Sequence, residues 1–334
     1  MSTVTMTLLF EDGLSTQLSA RKGQTVVEAA LESGLTLLTD CSNGQCGTCV
    51  AQCVAGQVEP GDYDPLVLSE DECDDGARLC CVARLESDAV LALPYDSSEA
   101  SAIEAPPQLG HITALEQVAA ETLRIEVQVS SGVDFLPGQY VRMRPSGATD
   151  WRSYSMANKV GDHQLIFYVR LVSEGWFSTW LLEQAQPGDT LEISAPRGGF
   201  FLREESRPRL FVAGGTGLAP FLAMLKNLET MDEAQRLAPI DLLVGVRSRE
   251  HLFALDELES LRQRIPSLTV SLAAEQNAPE GCHTGYATEL IEKMSLAKNT
   301  KVYVCGPPPM VNAARAAAIK AGIRKSEILC ERFT

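Results

Sequence analysis

Positive charge is scarce in this chain: 28 Lys and Arg stand against 44 Asp and Glu, a formal net charge of −16. A surface with that balance cannot neutralise a run of phosphates, which excludes the nucleic-acid-binding classes. Long apolar runs are missing too. No stretch approaches the ~18 consecutive apolar residues of a membrane-spanning helix. The opening residues, Met1 to Gly13, alternate apolar with polar and carry Glu11 and Asp12 where a secretion signal would be basic. There is no internal repeat, and low-complexity sequence is confined to one short linker. These absences predict a cytoplasmic, globular protein with neither nucleic-acid nor membrane partners. Its 334 residues suit two or three domains.

What is present is unevenly placed. Residues 1–98 hold 16 acids and 4 bases, a net −12, whereas residues 99–334 hold 28 and 24, a net −4. The first hundred residues therefore read as an acidic module, its charge serving either solubility or the steering of a basic partner. Seven of the ten cysteines, Cys41, Cys46, Cys49, Cys53, Cys73, Cys80 and Cys81, also fall there. In a chain without a secretion signal such crowding points to metal or redox chemistry more than to disulfides.

Periodicity divides the chain further. Residues 4–9 alternate (Val4, Met6, Leu8), turn at Asp12-Gly13 and resume near Gln17, which predicts a hairpin. Thr25 caps a helical run with Val26, Val27, Ala30 and Leu31 on one side, ended by Gly34. A cysteine-rich loop and a strand at residues 89–93 complete a small α/β module over 1–97, and residues 98–107 have linker composition. Over 108–205 short β-rich runs, separated by Gly and Pro, predict an antiparallel barrel interrupted by one helix at 177–184. Over 206–334 short apolar runs alternate with helix-length segments, the pattern of a doubly wound parallel sheet. The fold class is thus multi-domain, α+β and α/β.

Cys41-Ser-Asn-Gly-Gln-Cys46-Gly-Thr-Cys49 has the C-x4-C-x2-C spacing of a plant-type [2Fe–2S] site, with another cysteine about thirty residues on. Gly44 and Gly47 let the backbone fold over a cluster and aim N–H groups at its sulfurs. A zinc knuckle would instead pair C-x2-C with a second close pair. Spacing alone leaves Cys80 and Cys81 both open as the fourth ligand. Leu79-Cys80-Cys81-Val82-Ala83 resembles the L-x-C-x-A ending of plant-type ferredoxins, which implies Cys81 and a β-grasp fold. Cys53 is expected to pack inward, and Cys73 to be a plain thiol in an acidic loop.

Pro137-Gly-Gln-Tyr140, Arg152-Ser-Tyr-Ser155 and Gly175-Trp-Phe-Ser178 together resemble the ferredoxin–NAD(P) reductase family, over residues 110–334. The resemblance implies that Arg152 pairs with the FAD pyrophosphate as a fixed fork, with Ser153 beside it. It implies that Tyr154 packs on the isoalloxazine and that Ser155 donates towards flavin N5. Tyr168, Val169 and Arg170 would line the flavin, although Arg170 also reads as a solvated strand residue. Gly175, Phe177 and Ser178 would offer helix N-terminal amides to the pyrophosphate.

Gly214-Gly215-Thr216-Gly217 follows an apolar run and opens a helix, and Cys305-Gly306-Pro307-Pro-Pro-Met310 closes a later run. Both loops are thereby predicted at the carboxyl ends of parallel strands, where open α/β sheets bind ligands. By the same resemblance Cys305 sits beside the nicotinamide, and Glu331 and Phe333 lie at the flavin. An acid after the second strand would bind a ribose 2′-OH and an arginine a 2′-phosphate. The sequence there is Gly245-Val-Arg247-Ser-Arg249, so Arg247 joins the candidate site and NADH or NADPH stays open, with NADH ahead.

The order of modules, together with Asp88-Ala-Val, resembles the three-domain reductases of two-component aromatic-ring dioxygenases, of the benzoate and anthranilate type. That resemblance implies electron flow from NAD(P)H through FAD and the cluster to an oxygenase with a Rieske centre, by a monomeric reductase. Two rivals are the reductase of a soluble di-iron monooxygenase and a non-catalytic, metal-stapled nucleotide-binding module.

Overall fold

The computed structural model describes residues 2–39, 41–45, 47–65, 67–100 and 106–333. It divides into two compact units, residues 1–105 with 197–199, and residues 106–196 with 200–333. Of the expected linker, residues 101–105 lie outside the described residues.

The first unit runs β1 (Thr3–Leu9), β2 (Ser15–Arg21), α1 (Val26–Glu32), β3 (Val50–Ala55), β4 (Val58–Glu59), α2 (Glu70–Asp74), β5 (Ala77–Leu79), β6 (Arg84–Leu85) and β7 (Ala89–Ala92). Alternation decides β1: Val4, Met6 and Leu8 enter the core, and the hairpin to β2 turns on Gly13 at φ +80°. The sheet order is β2-β1-β7-β3-β5, with β1 and β7 parallel and α1 packed on it, a β-grasp. Thr25 accepts the Glu28 N–H while the Glu28 carboxylate accepts the Thr25 N–H, a reciprocal cap. The inward residues of α1 are Val26, Ala29 and Ala30, and Leu31 is 61% exposed. A residue five positions after Val26 lies about 140° round the helix, so Leu31 leaves the face it was expected to share. Cys73 lies in a short helix, α2, rather than a loop, because Ser69 and Glu72 cap it reciprocally.

The second unit begins with a six-stranded antiparallel sheet. Its strands are β8 (Gln108–Ala119), β9 (Thr122–Val129), β10 (Tyr140–Pro145), β11 (Arg152–Ser155), β12 (Gln164–Arg170) and β13 (Thr190–Ile193), in the order β11-β10-β13-β8-β9-β12. The two edges close on each other just after β11, where the Ala157 N–H donates to the Ile166 carbonyl at 2.8 Å. The barrel interior is filled from every strand, with Ile112, Ile125, Val127, Val141, Met143, Phe167 and Ile193 among the buried residues. Helix α3 (Trp176–Glu183) inserts Phe177 and Leu181 into it.

A parallel sheet follows, of β14 (Arg209–Gly214), β15 (Ile240–Ser248), β16 (Leu268–Gln276), β17 (His283–Thr284), β18 (Lys301–Gly306) and β19 (Ile328–Arg332), in the order β17-β16-β15-β14-β18-β19. Helices α4 (Ala219–Leu228) and α6 (Leu255–Arg264) cover one face, and α7 (Thr288–Ile291) and α8 (Pro308–Lys320) the other, with α5 (Glu233–Leu237) in a connection. This is the doubly wound arrangement. Among the helix-length segments, the one before β18 forms only the four residues of α7. Helix α4 is buried all round except at Lys226: Phe221, Leu222 and Leu225 face the sheet core while Ala223 enters the barrel core.

Candidate functional site

In the first unit the loop before β3 gathers sulfur. Gly44 and Gly47 take φ of +79° and +86°. A Cβ on Gly44 would stand 2.8 Å from the Asp62 carbonyl oxygen, so only glycine fits that close approach. Backbone amides point at two thiols: Gln45 N–H donates to Cys41 Sγ at 3.3 Å and Cys81 N–H to Cys49 Sγ at 3.4 Å. Cys41 and Cys49 both lie within hydrogen-bonding reach of the Cys81 thiol. Three thiols therefore converge, with amides already turned towards sulfur, which fits thiolate ligation of a cluster. Cys80 faces the other way, 1% exposed in the hydrophobic core. Cys46 lies outside the described residues. Among the described residues no three His, Cys, Asp or Glu side chains are gathered as around a single metal ion. Cys53 packs partly against the core, and Arg78 donates to the Cys73 sulfur at 3.5 Å.

In the second unit β11 carries Arg152 and Ser153 exposed, Tyr154 half-buried and Ser155 buried. The Arg152 guanidinium lies over the Trp176 ring, 5.2 Å from its centroid, and the Tyr154 ring is 5.5 Å from that of Phe177. Among the described residues no side chain caps α3 at Gly175 and the buried Trp176 indole N–H has no acceptor, while the Ser178 hydroxyl accepts the Val172 N–H at 3.0 Å. An uncapped helix start, an orphan donor and an exposed guanidinium together fit an anionic group such as a pyrophosphate. Alternation along β12 sends Val169 into the barrel core, Tyr168 towards Phe253 and Glu257, to which its hydroxyl donates at 3.0 Å, and Arg170 to the surface. The Tyr168 and Val169 side chains are thus occupied in packing.

The two predicted nucleotide loops touch. A Cβ on Gly217 would lie 2.2 Å from the Cys305 carbonyl oxygen, and one on Gly214 would lie 2.5 Å from Met310 Sδ and 2.9 Å from Pro307 Cδ. Gly215 at φ +54° makes the turn, Thr216 is buried behind it, and Gly306 at φ +153° keeps the opposite strand end close. Above them lies a cleft of about 470 Å³ lined by Gly214, Gly215, Thr216, Pro307, Met310 and Phe333 among others.

The chain's end is built in as strand β19, which the sequence pattern did not reveal. β19 pairs with β18 so that Glu331 lies opposite Cys305. Its carboxylate accepts the Ser155 hydroxyl at 3.3 Å and the Cys305 thiol at 3.8 Å, all three buried. Burial and the adjacent Glu331 charge push the Cys305 thiol well above its usual range, so it stays protonated. Barrel, inner strand and edge strand each contribute one member of this group. Phe333 follows, its N–H donating to the Gly306 carbonyl at 3.0 Å.

Glu121, Thr122, His251, Glu275 and Tyr286 also line the cleft, and the sequence reading missed them. Glu121 sits in the β8–β9 turn, where nothing local marks it, and Arg247 is paired with it.

Comparison with known proteins matches three family models along the chain. Residues 9–86 match the 2Fe-2S iron-sulfur cluster binding domain, 110–202 the oxidoreductase FAD-binding domain, and 211–316 the oxidoreductase NAD-binding domain. The 2-halobenzoate 1,2-dioxygenase electron transfer component of Burkholderia cepacia is 35% identical over 312 residues, 92% of this chain and 91% of the relative. The toluate 1,2-dioxygenase electron transfer component of Pseudomonas putida is 35% identical over 328 residues, 97% and 96%. This chain belongs to that family of electron transfer components. An electron transfer component of a xylene/toluene monooxygenase and the reductase component of a phenol 2-monooxygenase are similar as well. Among solved structures, the Amycolatopsis cytochrome P450 reductase GcoB superposes with a TM-score of 0.72 at 26% identity, covering 98% of this chain and 99% of that one.

As a member of the family the chain is an iron–sulfur flavoprotein reductase, using a [2Fe–2S] cluster, FAD and a pyridine nucleotide. No helix is long and apolar enough to cross a membrane among the described residues.

Proposed function

We propose that this reductase delivers electrons from NAD(P)H to the Rieske oxygenase component of an aromatic-ring dioxygenase. The observation that carries the reductase chemistry is the buried Ser155–Glu331–Cys305 group beside the nucleotide cleft. Bound FAD would supply hydride acceptance, and the cluster one-electron transfer. The residues of the chain supply binding and proton control. Cys41, Cys46, Cys49 and Cys81 are the proposed cluster ligands, and the burial of Cys80 supports that choice. Arg152, with the α3 start at Gly175, Phe177 and Ser178, holds the pyrophosphate, and Tyr154 is the packing surface beside it. Ser155 hands a hydrogen bond towards the flavin or back to Glu331. A protonated Cys305 adds no negative charge where a nicotinamide must approach, and Phe333 covers that end of the cleft.

The test is reconstitution. With NADH as donor, the protein should reduce ferricyanide alone and support aromatic dihydroxylation with a Rieske oxygenase component. Ferricyanide reduction coupled only to a di-iron hydroxylase would instead assign it to a monooxygenase system. A colourless preparation would favour a binding module.

A further inference from the structure

The far end of the nucleotide cleft carries an ion-pair arrangement that no sequence motif announces. An acid was expected after the second strand of the nucleotide sheet if the ribose is unphosphorylated, yet β15 ends in Val246-Arg247-Ser248. The acid arrives from the other sheet. Glu121, in the two-residue turn between β8 and β9, reaches across and takes Arg247 in a two-pronged pair, Nη2 to Oε2 at 2.9 Å and Nη1 to Oε1 at 3.3 Å. Arg170 Nε approaches the same carboxylate at 3.9 Å and His251 Nε2 at 4.0 Å. The turn itself is pinned: Ala120 N–H donates to the Glu250 carbonyl, and Leu171 N–H to the Glu121 carbonyl, both at 2.8 Å. Glu121, Arg170, Arg247 and His251 all line the cleft, together with an exposed Glu275 at the end of β16. Arg249, the other cation of that segment, is not in the lining.

We propose that Glu121 is a specificity-determining residue for the pyridine nucleotide. By occupying Arg247 it withholds the cation that a 2′-phosphate needs, and together with Glu275 it presents carboxylates to that end of the cleft. A phosphate that displaced Glu121 from Arg247 would lie against two acids, and like-charge repulsion in the cleft would offset the new contact. A ribose diol meets the opposite situation, because hydroxyls donate to carboxylates and carry no charge. Discrimination is therefore built from a repulsive element as well as an attractive one, and the repulsive one belongs to the flavin barrel. This inference rests on the reading of the cleft as the pyridine-nucleotide site.

Calorimetric titration of the loaded protein with NAD+, NADP+ and 2′,5′-ADP separates the possibilities, with ferricyanide kinetics for NADH and NADPH as a second readout. The wild type should bind NADP+ at least about tenfold more weakly than NAD+. Glu121→Gln, which keeps the shape and removes the charge, should raise the NADP+ to NAD+ affinity ratio roughly tenfold or more, the scale of a charge-assisted contact, and should tighten 2′,5′-ADP in parallel. Adding Arg247→Ala to that variant should abolish the gain. Arg247→Ala alone should leave the ratio where it is, because that arginine is already engaged, and this variant decides the matter if Glu121→Gln does not fold. An unchanged ratio in a folded Glu121→Gln protein, equal wild-type binding of both nucleotides, or a tenfold fall in the ratio from Arg247→Ala alone would each overturn the proposal. Binding of neither nucleotide would overturn the reading of the cleft itself, a result distinct from loss of discrimination.

Discussion

A single methyl group at Gly217 should disable this reductase while leaving most of its fold in place. The Cβ of an alanine would stand 2.2 Å from the Cys305 carbonyl oxygen, 2.7 Å from its carbon and 3.0 Å from the Gly306 nitrogen. Ordinary contacts begin near 3.5 Å, so the β14 turn and the end of β18 must part by more than about 1 Å. All three obstacles are backbone, and Ala213 pairs with Cys305 just upstream, so no side-chain rotation relieves the clash. Overpacking of this kind costs about 1–3 kcal/mol, or roughly 2–12 °C in melting temperature for a unit of this size. The functional loss should be larger, because a misplacement of about 1 Å between reacting partners can cost ~100-fold in rate. Gly215→Ala is the control. Among the described residues nothing lies within 4 Å of its Cβ, and its φ of +54° predicts a strain of only about 1–2 kcal/mol without separation of the strands. Thermal unfolding followed by near-ultraviolet circular dichroism, and kcat/KM for NADH with ferricyanide, should rank Gly217→Ala well below Gly215→Ala in activity. A Gly217→Ala protein within about twofold of wild type in kcat/KM would show that the two loops do not approach as described.

Cys81→Ser should lose iron and the visible cluster spectrum while keeping NADH–ferricyanide activity through the flavin, and Cys80→Ser should keep its iron at a stability cost of about 1–3 kcal/mol for a buried hydroxyl; iron analysis showing the reverse would move the ligand by one residue. Glu331→Gln keeps the size of the side chain but removes the charge that the Ser155 and Cys305 donors share. Stopped-flow flavin reduction by NADH should slow roughly 10- to 150-fold, as for one charge-assisted hydrogen bond, and a rate within twofold of wild type would refute a role for the carboxylate. Oxygenase-coupled turnover should fall steeply between about 0.1 M and 1 M salt, as the Debye length shrinks from ~10 Å to ~3 Å, while ferricyanide reduction changes much less; equal salt dependence would assign the net −12 of residues 1–98 to solubility.

Local signals made much of this legible in the sequence. The β1 hairpin, the Thr25 cap, the Gly44 turn and the Gly214–Gly217 connection each depend on neighbours within a few residues, and each is where the pattern placed it. The strand β19 was opaque because five residues with Glu331 and Arg332 among them do not alternate cleanly, and their burial comes from pairing with β18. The direction of the Tyr168 side chain follows from strand alternation and from Phe253 and Glu257, contributed by the other sheet, and its own segment announces neither. Glu121 was invisible for the same reason. A charged residue in a tight turn looks like solvent-facing sequence until the partner strand is in place, and its partner lies 126 residues away.

Helix α4 sets a limit on how this protein can be taken apart. A helix whose opposite sides complete two different cores makes each core a condition for the other, so a cut between barrel and parallel sheet would leave Phe221 or Ala223 facing water whichever side kept the helix. Chimaeras that exchange only the flavin barrel or only the nucleotide sheet among relatives would need matching surfaces around α4, including the Gly138 position, where any side chain would strike Met224. The second unit is therefore one inheritable piece. Recombination that respects both cores has to keep the barrel and the parallel sheet together, and a nucleotide preference set by Glu121 would travel with them.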